Sequence, residues 1–275
     1  MAKIFLSVPI LDKPELKMIY SAYQSILSCK EHQVRIYFNE NDSLISRVRN
    51  VHMSTFLNEF PDCEYFISID SDLEIINAYT TNNIFTKLIA HDKDFVGGLY
   101  ALKNSTAKSP ICASIPESAG ISREKIQFDS GLIEMKWLSS GCWCIKRSVI
   151  EKMVNAYPEL TYVGDDNVAG KQIHGLCIPE IFELDNNGTK FKKYLSEDWS
   201  FCERWRAIGG KIYADTSIVL KHIGKTQYTL WDVEVVSVPK TDPDKSGNNL
   251  DKEIKTEPNE NKLNKDLPPA GYDLK

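Results

Sequence analysis

Residues 65–75 read YFISIDSDLEI, an apolar run that stops abruptly at Asp70 and Asp72. The run is rich in aromatic and β-branched side chains, which indicates a buried strand. Side chains at i and i+2 of an extended chain point to the same side, so the two carboxylates are expected to converge. Two carboxylates at one point repel each other unless they are protonated or bridged by a cation. The stretch therefore predicts either an Asx-type turn that closes the strand or a metal site.

Strands and helices alternate along the chain around this stretch. We predict further strands at 3–10, 34–39 and 95–102, and helices at 14–29, 42–60 and 77–92. Such alternation indicates βαβ units. The sequence therefore predicts an α/β fold in which a mixed, mainly parallel central sheet is flanked by helices.

Two of these helices carry specific expectations. Pro14 suits the first turn of its helix, and Ser43 is a good N-cap for the next one. Helical spacing in the first helix predicts a buried stripe formed by Leu16, Ile19, Tyr23, Ile26 and Leu27.

The second half of the chain is less regular. Residues 103–133 and 155–192 have little periodicity and are predicted to be loops or excursions. Residues 135–154 predict a strand, a tight passage at Gly141 and then a helix. A further helix is predicted to follow Ser196 as its N-cap, and it ends at a pair of glycines before the last strands.

The composition changes near the C-terminus. From about Lys240 the chain is rich in Asp, Lys, Asn, Glu and Pro, with few apolar residues. We therefore predict one domain over residues 1–237, followed by a polar tail over 238–275 that lies on the surface or is disordered.

Composition and missing motifs exclude several classes of protein. The net charge of −5 over 275 residues offers no basic surface for nucleic acid. No glycine-rich dinucleotide motif or P-loop is present. No segment has the roughly 20 apolar residues of a transmembrane helix, and no targeting signal is visible. The seven cysteines form no zinc pattern, which is typical of reduced core thiols in a cytosolic protein.

The D-x-D pattern occurs three times, and only one copy follows a predicted strand. Asp92-Lys93-Asp94 precedes its strand, and Asp242-Pro243-Asp244 lies in the polar tail. Ligands of open α/β sheets bind beyond the carboxyl ends of the strands. Hard oxygen ligands suit Mg²⁺ or Mn²⁺, which in turn bind diphosphates. Asp70-Ser71-Asp72 is thus the copy whose position suits metal and ligand binding. A turn that closes the strand would explain the same residues.

The pair Glu197 and Asp198 opens the helix EDWSFCERW. Acidic residues in a first helical turn complement the helix dipole, which is a sufficient structural explanation. A carboxylate at the rim of a cleft could also serve as a general base for an acceptor hydroxyl.

His222, Arg47, Arg49 and Asn50 are the remaining candidates. A single histidine after a strand is usually an ordinary polar or core residue, although neutral imidazole suits Mn²⁺ beside carboxylates. The arginines stand near a helix N-terminus, where they oppose the helix dipole unless an anion is bound. A solvated helix face is the alternative.

Taken in order, these parts resemble the GT-A glycosyltransferases, specifically the family-2-like group of small, often viral or bacterial enzymes. The resemblance rests on SVP after the first strand, then RVRN, FISIDSD, LSSGCWCIKRSV and EDWSFCERWRAIGGKIYADTSIVLKHIG. It covers residues 3–228 and omits the tail. It implies a single Rossmann-like, GT-A domain.

The resemblance also implies a chemistry. Asp72 and His222 would hold Mn²⁺ or Mg²⁺, while Asp70 would act on the ribose or reach the metal through water. Asp198 would be the base of an inverting transferase, with Glu197 as the other candidate.

The donor would be a nucleotide sugar, with a UDP-sugar favoured, and the acceptor a hydroxyl of a glycan or glycoprotein in the cytoplasm. Trp199 would lie near the acceptor. The positions that would line the nucleotide-sugar site are Pro9, Arg49, Asn50, Asp70 and Ser71.

Two other functions remain open. A phosphohydrolase would use Asp70 as a nucleophile, but it would place its D-x-D after the first strand, whereas here the strand is the third. A non-catalytic nucleotide- or carbohydrate-binding protein would keep the pocket without needing Asp198 beside a metal.

Overall fold

The computed structural model describes residues 1–11, 13–39, 42–76, 83–103, 112–116, 131–165, 168–186, 188–224 and 227–228. The first half of the chain contains β1 (Lys3–Val8), α1 (Leu16–Ser28), β2 (Gln33–Phe38), α2 (Ile45–Glu59), β3 (Tyr65–Ile69), β4 (Leu73–Ile75), α3 (Ile84–Ala90) and β5 (Phe95–Leu99). All elements belong to one compact unit, Met1–Glu234.

The second half contains more strands than helices. The strands and helices of this half are β6 (Ala113–Ser114), β7 (Leu132–Met135), β8 (Trp137–Leu138), β9 (Cys142–Lys146), α4 (Arg147–Ala156), β10 (Thr161–Val163), β11 (Gln172–His174), β12 (Glu180–Asn186), β13 (Thr189–Leu195), α5 (Glu197–Ala207), β14 (Ile212–Ile223) and β15 (Gln227–Tyr228).

The central sheet of the described chain has nine strands, with the order β15-β14-β5-β9-β3-β1-β2 and with β4 and β7 paired to β14. β1 is parallel to β2 and β3, and β14 is parallel to β5. β9 runs antiparallel between β3 and β5. The prediction of a mixed, mainly parallel sheet is therefore confirmed.

Each face of the sheet buries its own apolar cluster because successive side chains of a strand alternate between faces. On one face Phe5 and Phe66 pack with residues of α2, α4 and α5. On the other face Ile4 and Ile67 pack with residues of α1 and α3. The helices therefore cover both faces, as the alternating pattern predicts.

The predicted buried stripe of α1 is wrong in part. Met18 and Ala22 are buried, whereas Leu16, Tyr23 and Leu27 are exposed. The helix instead turns its small residues to the core, where Ser21 Oγ accepts a hydrogen bond from the Ile75 amide at 3.0 Å. Such a close approach to β4 has no room for a tyrosine or leucine.

Ser43 is not the N-cap of α2. The helix begins at Ile45, with Leu44 as its N-cap residue. The Asp42 carboxylate accepts a hydrogen bond from the Leu44 amide at 2.9 Å and pairs with Arg47 at 2.8 Å. Arg47 is thereby engaged by a neighbouring carboxylate at the start of the helix.

The segment predicted as a loop over 155–192 contains two antiparallel pairs, β10 with β11 and β12 with β13. Gly141 does form a tight passage, since a Cβ atom there would lie 2.5 Å from the Tyr100 ring. The seven cysteines all lie in the described part of the chain, and none of them forms a disulfide there.

Several predictions fall on residues that lie outside the described ones: the tail 238–275 with Asp242 and Asp244, residues 77–82 of the predicted third helix, and most of 103–133. In the part of the chain that is described, no helix has the length and apolarity needed to cross a bilayer.

Candidate active site

The D-x-D stretch forms a turn at the end of β3. The Leu73 amide donates a hydrogen bond to the Asp70 carbonyl at 3.0 Å, and the Asp70 amide donates to the Gly141 carbonyl at 3.1 Å. The Asp70-Ser71-Asp72 stretch is therefore a turn, and this turn is compatible with a metal-binding role for its carboxylates. The two carboxylates engage different partners, Asp70 with Arg49 and Asp72 with His222 and Lys103.

The Asp72 carboxylate has two side-chain partners, the ammonium of Lys103 and the imidazole of His222. Its Oδ2 lies 2.5 Å from Lys103 Nζ and 3.4 Å from His222 Nε2. Burial acts to raise the pKa of Asp72, but the hydrogen bonds from His222 and Lys103 outweigh it and lower the pKa to about 2. Asp72 is thus an anion at every working pH.

His222 is oriented by the backbone. Its Nδ1 lies 2.8 Å from the Ala101 carbonyl oxygen, which can only accept, so Nδ1 is a donor in this contact. Nε2 then faces Asp72. A carbonyl partner on the second ring nitrogen is the usual way in which proteins orient a metal-binding histidine.

Strand pairing brings these two residues together. β14 pairs with β4 so that His222 is opposite Leu73, and the Ile223 amide donates to the Asp72 carbonyl at 2.8 Å. A carboxylate oxygen and an imidazole nitrogen fit Mn²⁺ well and Mg²⁺ less well. Among the described residues no group of three or more His, Cys, Asp or Glu side chains could hold a metal, so Asp70 does not complete a three-ligand site.

Arg49, on α2, links the two acidic motifs. Its Nη2 lies 2.8 Å from Asp70 Oδ1, and its Nε lies 3.6 Å from Glu197 Oε1. Its Nη1 also donates to Ser68 Oγ at 3.4 Å. Burial acts to lower the pKa of Arg49, but Asp70 and Glu197 raise it above its ordinary value. The guanidinium is therefore a permanent buried cation between two carboxylates.

Glu197 has an environment that disfavours its charge. Burial and the neighbouring Asp198 raise the pKa of Glu197, and Arg49 opposes them only in part. An elevated carboxyl pKa inside a cleft is compatible with proton transfer. It also follows from crowding two carboxylates into one helical turn.

Asp198 is buried and held by hydrogen bonds. Oδ1 accepts from the Ser196 hydroxyl in a short contact and from the Trp199 amide at 2.8 Å. Oδ2 is 3.4 Å from the Ser140 amide. Ser196 is the N-cap residue as predicted, but its hydroxyl serves Asp198 instead of the helix backbone. Oδ2 is thus the oxygen with capacity left for another donor.

Trp199 belongs to an aromatic stack that the sequence did not indicate. Its ring lies 4.8 Å from that of Trp137, with 26° between the planes. Its Nε1 donates to Ser139 Oγ at 3.2 Å. Lys193 Nζ lies 4.7 Å from the centre of the Trp137 ring and 5.5 Å from that of Trp199. The stack stands one residue after Asp198.

The other predicted nucleotide-site residues have structural partners. Asn50 is buried, and its amide oxygen accepts from the Cys177 amide at 2.7 Å. The Ser71 carbonyl accepts from the Glu15 amide at 2.9 Å, which ties the D-x-D turn to the start of α1. Pro9 is buried directly after β1. None of these contacts joins them to Arg49 or Asp72.

Sequence reasoning missed three contributors to the site. Lys103 and the Ala101 carbonyl lie beyond β5, and Trp137 lies in β8. No local motif marks them, because their role comes from the side chains that the sheet brings next to them. A separate cavity of about 540 Å³, lined by residues such as Lys93, Lys152 and Trp205, shares no residue with this site.

Comparison with known proteins gives distant structural matches only. No known family profile matches the chain, and no curated protein matches it. The crystal structure of A197 from STIV is 17% identical, with a TM-score of 0.49, and the match covers 83% of this chain and 94% of that one. A glycosyltransferase involved in the glycosylation of the major capsid of PBCV-1 is 14% identical, with a TM-score of 0.32, over 57% of this chain and 66% of that one. These similarities are too low to carry an argument about activity.

Proposed function

We propose that the protein is a metal-dependent glycosyltransferase with a GT-A domain, which moves a sugar from a nucleotide-diphosphate donor to an acceptor hydroxyl with inversion. The observation that carries the proposal is the pairing of Asp72 with a backbone-oriented His222, 3.4 Å apart, at the carboxyl end of β3. Ligands of α/β sheets bind at that edge. The buried Arg49 and the Glu197-Asp198 pair stand next to it.

Asp72 and His222 are the residues that would hold Mn²⁺ or Mg²⁺. The metal would supply charge stabilisation for the leaving diphosphate. Lys103, already bound to Asp72, adds a second cation on the same side of the site. A diphosphate between these groups would meet the positive charge of Lys103 and of the metal.

Asp198 is the residue best suited to act as the base. Its Oδ1 is anchored by Ser196 and Trp199, which leaves Oδ2 to accept the proton of the acceptor hydroxyl. As that oxygen bonds to the anomeric carbon, the bond from this carbon to the diphosphate oxygen breaks on the opposite face. The configuration therefore inverts, and the diphosphate leaves with the electron pair.

Arg49 and Asp70 would contact the ribose side of the donor, and Pro9, Asn50 and Ser71 would shape the nucleotide pocket around them. A UDP-sugar is the favoured donor. The Trp199 ring offers an apolar surface for an acceptor sugar beside Asp198, in keeping with a glycan or glycoprotein acceptor. The proposed setting is the cytoplasm.

A phosphohydrolase that uses Asp70 as its nucleophile has less support. Arg49 Nη2 holds Asp70 Oδ1 at 2.8 Å, and a buried cation there lowers the nucleophilicity of the carboxylate. A role in binding alone would keep the pocket but would not need Asp198 as a base beside a metal.

A donor panel tests the proposal. The full chain is incubated with UDP-, GDP- and dTDP-sugars, with and without Mn²⁺ or Mg²⁺, and nucleotide release is measured. We expect metal-dependent release from at least one donor and its loss in Asp72→Ala. Binding of donors without any turnover would favour the non-catalytic alternative, and release of inorganic phosphate from simple phosphate esters would favour the phosphohydrolase.

A further inference from the structure

α1 carries a second apolar stripe on the side that faces away from the sheet. The exposed fractions of its residues are 85% for Leu16, 64% for Tyr20, 56% for Tyr23 and 49% for Leu27. The core contacts of the helix are made by other residues, Met18 and Ala22 among them. A surface helix normally presents polar residues on its outer face.

The spacing of the stripe is that of a helix–helix seam. Successive members are four, three and four residues apart, which is the a/d spacing with which two helices pack together. At 3.6 residues per turn, the four side chains fall within a narrow arc of the helix. The only charged residue of α1 is Lys17, which lies about a quarter turn from the centre of this arc.

The stripe is also palindromic. Read in either direction it gives Leu, Tyr, Tyr, Leu with the same spacing. In a two-fold symmetric interface residue i of one copy meets residue j of the other, and j meets i. Two antiparallel copies of α1 would therefore place leucine against leucine and tyrosine against tyrosine along the whole stripe.

We propose that α1 is the interface of a homodimer, in which two copies of the helix pack antiparallel across a two-fold axis. Leu16 packs against Leu27 of the partner subunit, and Tyr20 packs against Tyr23 of the partner subunit. A second copy is favoured over a lipid surface because the stripe has seam spacing and self-complementary order, whereas membrane-surface helices are rich in basic residues on their polar face.

The available area is sufficient. Side chains of this size present about 200 Å² each, so the exposed fractions correspond to about 500 Å² per copy. A pair would bury about 1,000 Å², which is the threshold for a biological interface, whereas stable interfaces begin at about 1,200 Å². Ile36 and Phe38 of β2, each partly exposed, lie on the same face of the sheet as the α1 core contacts and extend the apolar surface at its edge.

The position of the helix gives the dimer a link to the proposed activity. The Glu15 amide, at the N-cap of α1, donates to the Ser71 carbonyl in the D-x-D turn. The dimer does not depend on that activity, because it rests on the α1 surface alone.

Sedimentation equilibrium of the full chain over a range of micromolar concentrations tests the proposal. We expect the mass of two chains for the wild type and of one chain for Tyr20→Glu/Tyr23→Glu, with the circular dichroism of the wild type kept. Val163→Glu changes an equally exposed apolar residue on β10 and should remain a dimer. A wild type that stays monomeric, or a double variant that stays dimeric, would overturn the proposal.

Cross-linking tests the register. Leu16→Cys/Leu27→Cys should form a disulfide-linked dimer under mild oxidation. Leu16→Cys alone should not, because the introduced thiol of each copy would face Leu27 of the partner subunit. Equal cross-linking of both variants would contradict the antiparallel arrangement. Co-sedimentation of a monomeric wild type with anionic vesicles, lost in Tyr20→Glu/Tyr23→Glu, would assign the stripe to a membrane surface and reject the dimer.

Discussion

Arg49 Nη2 and Asp70 Oδ1 lie 2.8 Å apart, and this contact couples the two acidic motifs of the site. The same guanidinium has its Nε 3.6 Å from Glu197. Asp70 is thereby held by a protein cation, while Asp72 is left with an imidazole and an ammonium as partners. The two aspartates therefore have different environments, although only one residue separates them. Asp70 belongs to a structural ion-pair network, and the environment of Asp72 suits a metal.

Removal of Arg49 should destabilise the fold. Arg49→Met leaves Asp70 and Glu197 without their buried cation, and breaking such a pair costs about 3 kcal/mol or more. Urea unfolding would measure the change in free energy. Arg35→Met is the control, because Arg35 pairs with Asp62 at the exposed surface, where solvent screening leaves an ion pair with little effect on stability. Equal effects of the two substitutions would contradict the role of Arg49.

Asp72→Ala should abolish metal-dependent nucleotide release. The substitution removes the carboxylate that faces His222 and that would hold the cation. Asp92→Ala is the matched control, because Asp92 belongs to the D-x-D pattern before β5 and pairs with Lys146. Unchanged turnover in Asp72→Ala, measured under saturating Mn²⁺ and donor, would reject the metal role.

Asp198→Asn should lower the rate of sugar transfer by roughly 10² to 10⁴, the usual contribution of a general base. Donor affinity measured by calorimetry should stay close to that of the wild type, since Asp198 acts on the acceptor. Glu197→Gln should keep most of the transfer activity. If Glu197→Gln were the more damaging substitution, the base would be Glu197.

Glu197→Gln should also change how stability depends on pH. Because burial and Asp198 raise the pKa of Glu197 in the folded protein, the carboxyl contributes stability below its unfolded pKa and loses it as the pH rises through the folded value. The glutamine variant should therefore gain stability relative to the wild type at neutral pH and show no such gain in acid. Melting temperatures across this range would measure the difference, with the exposed Glu159→Gln as a control; a gain that is independent of pH would contradict the prediction.

A chain that ends at residue 237 should melt within a few degrees of the full chain. The polar composition of 238–275 offers little apolar surface to bury. Differential scanning calorimetry of both chains measures this. A large loss of stability would mean that the tail packs on the domain.

Periodicity predicted the central elements because buried strands have long apolar runs. It failed on α1 because the helix is apolar on more than half of its surface, and spacing does not tell which apolar stripe meets the sheet. It did not predict β12 and β13 because these strands contain few buried residues and many exposed charged ones, such as Glu183 and Lys192. The stability of such a hairpin comes from the pairing of its two strands, and local sequence is a weak predictor of strand pairing.

The candidate site could be predicted in outline, since Asp72, His222 and Asp198 lie at or beside the ends of elements and Arg49 lies in the second turn of α2. Their partners could not be predicted in the same way. The Ala101 carbonyl orients His222 only because β5 and β14 are neighbours in the sheet. Asn50 was expected to line the nucleotide pocket, and its contact with Cys177 depends on a segment far along the chain.

The hydrogen bond from His222 to Ala101 spans 121 positions of sequence. The pair of side chains that would receive a cation therefore forms only after β14 has joined the sheet, so a partly folded chain in which β14 is not docked has no such pair. Any ligand that requires both Asp72 and His222 would stabilise the complete domain in preference to its fragments. Ligand-induced protection from proteolysis would consequently report on the docking of β14 as well as on binding.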